Sequence, residues 1–250
     1  MRNAVRRYLA WVGGHELGVI VAALVLAGGV WGFIHLADEV KEGDTQRFDE
    51  WALRSLRKKG NPAEGVGPPA LGDAARDVTA LGGVTVLTLV TAAVAGYLLL
   101  KRAYGAMWLV LGASVGGLVV SSVLKRVIER PRPQIVPHLA YVYTSSFPSG
   151  HSMMSAAVYL TLGALLARFV HEKTIKVYFL AIAGLLTMLV GVSRVYVGVH
   201  YPTDVLGGWV AGLVWALLCW LVARYLQRRG TVEEDVDRNL TEPAEFEVKC

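Results

Sequence analysis

Leu17–Ala37 reads LGVIVAALVLAGGVWGFIHLA, 21 consecutive residues without a Lys, Arg, Asp or Glu, bounded by Glu16 and Asp38. An α-helix crossing the hydrocarbon core of a bilayer needs roughly 17 to 25 apolar residues, so this run has the length of a membrane span. Arg2, Arg6 and Arg7 precede it as in a signal peptide, but the run is longer than a cleavable apolar segment and reads as an uncleaved first span. Five further uncharged runs follow, at 78–100, 103–124, 152–167, 177–193 and 205–223. The fourth is short when counted strictly. It extends to 151–170 because Arg168 can snorkel to the headgroups and His151 can face a polar cavity instead of lipid. The last extends to residue 226 in the same way.

Composition agrees with the runs: 54% of residues are hydrophobic and 18% charged, and the mean hydropathy is +0.45. The expected fold class is all-α, a polytopic integral membrane protein with six transmembrane helices over residues 17–226. A basic segment, 1–16, precedes them, and an acidic tail, 227–250, reads as disordered. Between the first two spans, Phe48, Trp51, Ala52 and Leu56 recur at helical spacing, while Arg47, Arg54, Arg57, Lys58 and Lys59 mostly take other faces. This pattern predicts a short helix lying in the interface, with a cap packed over the bundle as the alternative. Asn61-Pro62 and Gly67-Pro68-Pro69 then predict a loop.

The net charge of +5 is spread over loops and span ends and forms no nucleic-acid-sized patch, so nucleic acid is not an expected partner. Cys219 lies in the last span and Cys250 is the final residue, a pattern that implies no disulfide framework. The oligomeric state is not specified by any pattern in the sequence.

A polytopic chain changes sides at each span, so Lys125–His151 and Arg194–Asp204 fall on one face, opposite both termini. Eleven Lys and Arg lie near span ends on the terminal side; of the twelve opposite, seven are in the long first loop and five in or beside the motif loops. The positive-inside rule then favours cytoplasmic termini in a plasma (inner) membrane, with the motif loops on the outer or periplasmic face.

Three segments meet on that face: Lys125 with Arg132-Pro133, Pro148-Ser149-Gly150-His151, and Ser193-Arg194 with His200 and Asp204. A phosphate monoester needs several fixed cations and N–H donors, because its charge shifts onto oxygen as the bond to phosphorus breaks. Lys125 offers a point charge, and Arg132 and Arg194 offer planar forks. Ser149 and Gly150 open the fourth span, where helix amides face an anion. Asp204, four residues after His200, can hold one imidazole nitrogen and free the other to attack phosphorus. His151 can protonate the leaving alkoxide and then activate water. The lone histidines His15, His35, His138 and His171 have no second ligand at metal spacing. Asp73 and Asp77 fit an acidic helix start. No metal and no cofactor is called for.

This three-part pattern resembles the signature of the type-2 phosphatidic acid phosphatase superfamily: Lys, six residues, Arg-Pro; then Pro-Ser-Gly-His; then Ser-Arg, five residues, His, three residues, Asp. Every position matches. The resemblance covers roughly residues 17–226 and includes bacterial membrane phosphatases acting on phosphatidylglycerophosphate and undecaprenyl pyrophosphate. It implies a six-helix bundle, a lipid phosphate as substrate, His200 as nucleophile and His151 as proton donor. Lys125, Arg132, Ser149, Gly150 and Arg194 would hold the phosphate, and hydrolysis would pass through a phosphohistidine without metal. The choice of His200 over His151 as nucleophile rests on the resemblance, with Asp204 pointing the same way. A lipid phosphotransferase using the same intermediate is the alternative. A channel or transporter with a basic vestibule would explain the spans but not the pairing of Asp204 with His200.

Overall fold

A computed structural model describes residues 2–137 and 144–228, with side chains described for 18–137 and 144–226. The basic side chains of 1–16, His15, His138, Cys250 and the acidic tail from residue 229 lie outside the described residues.

The spans form where the uncharged runs predict helices. They are α1 (Arg2–Glu42), α5 (Tyr104–Leu111) continued by α6 (Gly117–Ile128), α7 (Gly150–Arg168), α8 (Lys173–Tyr196) and α9 (Pro202–Arg228). Five helices, counting α5 through α6 as one, are long and apolar enough to cross a membrane. The bent pair α3 (Pro69–Ala80) and α4 (Val84–Leu100), whose axes differ by 46°, makes six crossings if it is counted as one span. The protein is thus an all-α, multi-span membrane protein.

Two local features differ from the sequence reading. The run 78–100, expected as one uninterrupted span, breaks at Leu81–Gly83, and the helix start expected at Asp73 and Asp77 belongs to a separate helix, α3, that begins at Pro69. The break is packed closely against the bundle: a Cβ on Gly82 would stand 2.4 Å from Val190 and 3.2 Å from the His151 carbonyl, so only glycine fits there. Between α5 and α6 the helix widens into a single π-type turn, Gly112–Gly116. Its exposed carbonyls are claimed by the Trp215 indole N–H, 3.2 Å from the carbonyl oxygens of both Gly112 and Ala113.

Helix α7 is the axis of the bundle and packs on α8, α9, α6, α5 and α4. This explains why its sequence is the least lipid-like of the spans. Ser152, Ser155, Ala156, Ala157 and Gly163 are small residues that let neighbouring helices approach closely, and they meet protein, not hydrocarbon. Conversely, α1, α4, α5, α6 and α8 expose large apolar residues such as Leu24, Trp31, Leu89, Trp108, Val119 and Leu185, which suits lipid-facing surfaces.

At one end of the bundle a cap covers the helix ends. It consists of α2 (Gln46–Ser55) and a two-stranded antiparallel hairpin, β1 (Arg57–Lys58) and β2 (Asn61–Gly65). The helix predicted from Phe48, Trp51, Ala52 and Leu56 exists, but with a different inner face. Asp49 and Leu53 are fully buried, whereas Phe48 and Trp51 are exposed. The buried face packs as a cap over the bundle, the alternative reading of the segment, and the aromatic pair lies on the exposed face.

Candidate active site

Helix ends converge beneath the cap. The C-terminal ends of α6 and α8 carry Lys125 and Arg194, and the N-terminal ends of α7 and α9 carry His151 and Asp204. Helix α6 stops at Glu129, which takes the left-handed conformation (φ +37°), and Arg130-Pro131-Arg132-Pro133 leaves without regular structure. Proline fixes its own φ and pushes the preceding residue to extended geometry, so the two arginines ride on a stiff segment. Gly198 turns the chain between α8 and α9 at φ +83°; a Cβ there would stand 2.4 Å from Arg57 Nη2. That turn delivers His200.

His200 is buried and flanked on both sides. Arg132 Nη1 is 3.2 Å from Nε2, Asp204 Oδ2 is 3.4 Å from Nδ1, and Ser146 Oγ is also 3.4 Å from Nδ1. A guanidinium has no lone pair and cannot accept. Nε2 must therefore be the acceptor of the Arg132 N–H, and Nδ1 carries the ring proton and faces the carboxylate. Burial, helped by Arg132 and Arg194 against the opposing pull of Asp204, lowers the His200 pKa to about 3. The ring is neutral at physiological pH, with its only free lone pair under Arg132.

Asp204 is fully buried and saturated with donors: the Ser146 hydroxyl, the Tyr201 amide at 2.8 Å and Arg130 Nη1 at 2.7 Å. The last contact was not anticipated from the sequence, nor were Ser146, Thr203 and Asp49 around it.

The three predicted cations have a common feature. Lys125 Nζ donates to the Ser145 carbonyl at 2.7 Å. Arg132 donates to the carbonyls of Thr144 and Val199 at 2.6 and 2.7 Å and to the Thr144 hydroxyl at 3.2 Å. Arg194 Nη1 reaches the Thr79 hydroxyl at 3.4 Å, and its Nε is buried without a hydrogen-bond partner among the described residues. Neutral groups orient these cations without neutralising them. Burial lowers the Arg132 pKa despite the nearby Asp204 charge, as expected of a cation short of counter-charge.

His151 lies within electrostatic range of Arg194, His200, Lys125 and Arg132, so the structure brings both histidines and all three cations together. Its ring makes no hydrogen bond to another described residue and sits beside the Gly82-Gly83 break, 3.9 Å from where a Gly83 Cβ would be. Ser149 caps α7: its fully buried Oγ accepts from the Ser152 hydroxyl at 2.9 Å and the Ser152 amide at 3.5 Å. Gly150 lies against Lys125, 3.4 Å from its Cε to a Cβ built on the glycine. Among the described residues there is no cluster of His, Cys, Asp and Glu able to hold a metal.

Among the described residues in contact or electrostatic range of the His200–Asp204 pair, Lys125, Arg130, Arg132 and Arg194 face Asp49 and Asp204, an excess of two positive charges in this set. An anion of charge about −2, such as a phosphate monoester dianion, would balance them.

Comparison with known proteins gives the same direction. Over 152 residues the chain is 37% identical to phosphatidylglycerophosphatase B of Bacillus subtilis, covering 58% of this chain and 72% of that relative. It is 32% identical to a lipid A 1-phosphatase of Rhizobium etli over 146 residues, 51% of this chain and 59% of the relative. The crystal structure of a transmembrane PAP2-type phosphatidylglycerolphosphate phosphatase from Bacillus subtilis superposes with a TM-score of 0.72 at 30% identity, covering 81% of this chain and 98% of that one. The model of the PAP2 superfamily matches residues 84–228, from α4 to the end of α9, and with these likenesses it shows that the chain belongs to that superfamily.

Proposed function

We propose that the protein removes the terminal phosphate of a membrane glycerophospholipid, a phosphatidylglycerophosphate-like monoester, through a phosphohistidine on His200. Its family and the phosphatase names of its relatives make the chain a hydrolase of lipid phosphates. The mechanism rests on one observation above all: a guanidinium with no carboxylate partner among the described residues lies 3.2 Å from the lone pair of a neutral imidazole. An entering phosphate would claim Arg132, Arg194 and Lys125 and draw Arg132 off Nε2, uncovering the nucleophile at the moment phosphorus arrives.

Nε2 then attacks phosphorus and the bond to the lipid oxygen breaks. His151, which takes up a proton as the bound phosphate dianion offsets Arg194, Lys125 and Arg132, gives that proton to the lipid oxygen, and the nonbridging oxygens gather charge against the three cations. Neutral His151 next takes a proton from water, which displaces Nε2 from phosphorus and releases inorganic phosphate. Asp204 holds Nδ1–H throughout, so the imidazolium formed in the first step is stabilised where it forms. The cations already supply the charge that a metal would bring, and the reaction is metal-independent in this reading.

Residues 17–226 form the phosphatase domain, with the termini in the cytoplasm and the site at the outer face of the plasma membrane. The decisive assay is release of inorganic phosphate from phosphatidylglycerophosphate in mixed micelles. The parent protein should turn over in EDTA, and His200→Ala should lose at least roughly 10^4-fold, the scale of removing a nucleophile. Activity that disappears in EDTA and returns with magnesium would refute the metal-free mechanism; turnover by His200→Ala would refute the nucleophile.

A further inference from the structure

Arg130 precedes Arg132 by two residues and has the opposite surroundings. Its guanidinium lies between two fully buried carboxylates: Nη1 is 2.7 Å from Asp204 Oδ1, and Nη2 is 2.7 Å from Asp49 Oδ2. Thr203 closes the gap between them. Its hydroxyl donates to Asp49 Oδ2 at 2.6 Å and accepts from Arg130 Nη1 at 2.8 Å, while its amide donates to Asp49 Oδ1 at 3.1 Å. The ring of Tyr201 lies 4.3 Å from the guanidinium carbon and covers one face of the fork. Asp49 comes from α2, Arg130 from the loop after α6, and Thr203 and Asp204 from the start of α9.

We propose that Asp49 and Arg130 are positioning residues for the reaction, a carboxylate–guanidinium pair behind Asp204 that keeps it ionised and aimed at Nδ1 of His200. The inference rests on the reading that His200 attacks phosphorus. Asp204 serves that attack only as an acceptor: if it carried a proton, it would donate to Nδ1, the ring proton would move to Nε2, and the attacking lone pair would be lost. A carboxylate with no solvent access is costly to keep charged, and Arg130 offsets that cost at the one oxygen that faces away from the imidazole. Asp49 holds the other arm of the fork, so the guanidinium cannot swing off Asp204.

Without the guanidinium, two buried carboxylates would face each other across Thr203, and like charges in one site drive one of them to take a proton. The other titratable and charged groups around Asp204 are Arg132 and the neutral His200 on the loops and Lys125 on α6, with Arg194 on α8 beyond His200. All three of these cations are reserved for the substrate in the proposed mechanism, which leaves Arg130 as its dedicated counter-charge.

A simple tertiary pin between α2 and α9 would use the same contacts, so the test separates electrostatics from anchoring. Steady-state kinetics are measured with the lipid phosphate in mixed micelles for the parent, His200→Ala, Arg130→Gln, Arg130→Lys, Asp49→Asn and the double variant Asp49→Asn/Arg130→Gln, each checked for a monodisperse peak in detergent. Arg130→Gln should lose roughly 100-fold in kcat with KM within about threefold, the upper range for loss of a partner that orients a site ligand. Asp49→Asn should lose about tenfold at unchanged KM. The double variant should be faster than Arg130→Gln by about tenfold, because removing the second carboxylate relieves Asp204; such coupling is expected only between interacting groups. A double variant no faster than Arg130→Gln, with rates that follow melting temperature across the set, would overturn the inference in favour of a pin. Should Arg130→Gln fail to fold, Arg130→Lys decides: a kcat loss of roughly tenfold at unchanged KM supports positioning, and parent-like kcat overturns it. Activity in His200→Ala would instead sink the nucleophile reading, whatever Arg130 does.

Discussion

Arg130 and Arg132 leave the same proline-stiffened segment and flank the same His200–Asp204 pair, one at the carboxylate and the other at the imidazole. Arg130 is closed by Asp49 and Asp204, while Arg132 is held by the carbonyls of Thr144 and Val199. The first region has its charge balanced inside the protein. In the second, Lys125, Arg132 and Arg194 are oriented by neutral groups and keep charge to offer. Being a buried cation beside the histidine is therefore not what marks a substrate ligand. The marker is the partner: a carbonyl or hydroxyl fixes geometry and leaves the field, whereas a carboxylate cancels it.

The comparison can be broken most forcefully from the open side. Removing one of the uncompensated cations, by Arg132→Ala or Arg194→Ala, should cost roughly 10^2- to 10^3-fold in rate, as loss of one transition-state donor does. Vanadate inhibition should weaken in parallel, since the same charges hold the anion. If vanadate inhibits Arg132→Ala and the parent equally, the pocket is not the anion site. Arg194→Lys keeps the charge but loses the fork whose Nε has no partner among the described residues, and should lose about tenfold. A fully active Arg194→Lys would make Arg194 an ordinary anchor.

A smaller effect sharpens the contrast through stability. Vanadate at about 100 times its Kd should stabilise the parent by about 2.7 kcal/mol. This gain should vanish in Arg132→Ala and persist in Asp49→Asn, where the open pocket is untouched. Equal gains in both variants would erase the distinction between the two regions.

The smallest effect concerns pH. The folded protein holds His200 neutral down to a pKa of about 3, whereas the unfolded chain takes up that proton near 6.5. Between those values the unfolded state binds more protons, so stability falls as pH drops through the window, by at most about 1.4 kcal/mol per pH unit for this group. Melting temperatures in detergent should therefore decline less steeply from pH 6 to 4 for His200→Gln than for the parent. Superimposable profiles would remove the buried neutral histidine from the account.

The open pocket was far more legible in the sequence than the closed cap. Lys125, Arg132, His151, Arg194, His200 and Asp204 sit in short segments at fixed spacing, and the alternation of spans puts those segments on one face without any knowledge of packing. The spans themselves follow from uncharged length, because lipid tolerates little else. Asp49 had no such signal. Its partner Arg130 is 81 residues away, and Arg47, Glu50 and Arg54 around it make one more charge on a short helix unremarked. The apolar pattern of α2 drew attention to Phe48 and Trp51, which are exposed, and not to Asp49, which is buried with Leu53. At a membrane surface the outside of a helix need not be polar, while a buried ion pair needs its partner at one place only. The doubled Arg-Pro was the available clue to Arg130, and only its second half belongs to the pattern that drew attention. The broken span at Leu81–Gly83 was hidden for a similar reason: the two glycines read as apolar, and their role appears only against His151 and Val190.

The central claim is that the lone pair lying under Arg132 is the one that attacks phosphorus. Rapid-quench trapping of the phosphoenzyme tests it most directly, using radiolabelled nitrophenyl phosphate, whose leaving group needs no proton, and an alkaline quench that preserves phosphohistidine. The account predicts label on His200 in the parent, accumulation of that label in His151→Ala because water lacks its base, and none in His200→Ala. Label on His151, or labelled protein in His200→Ala, would contradict it.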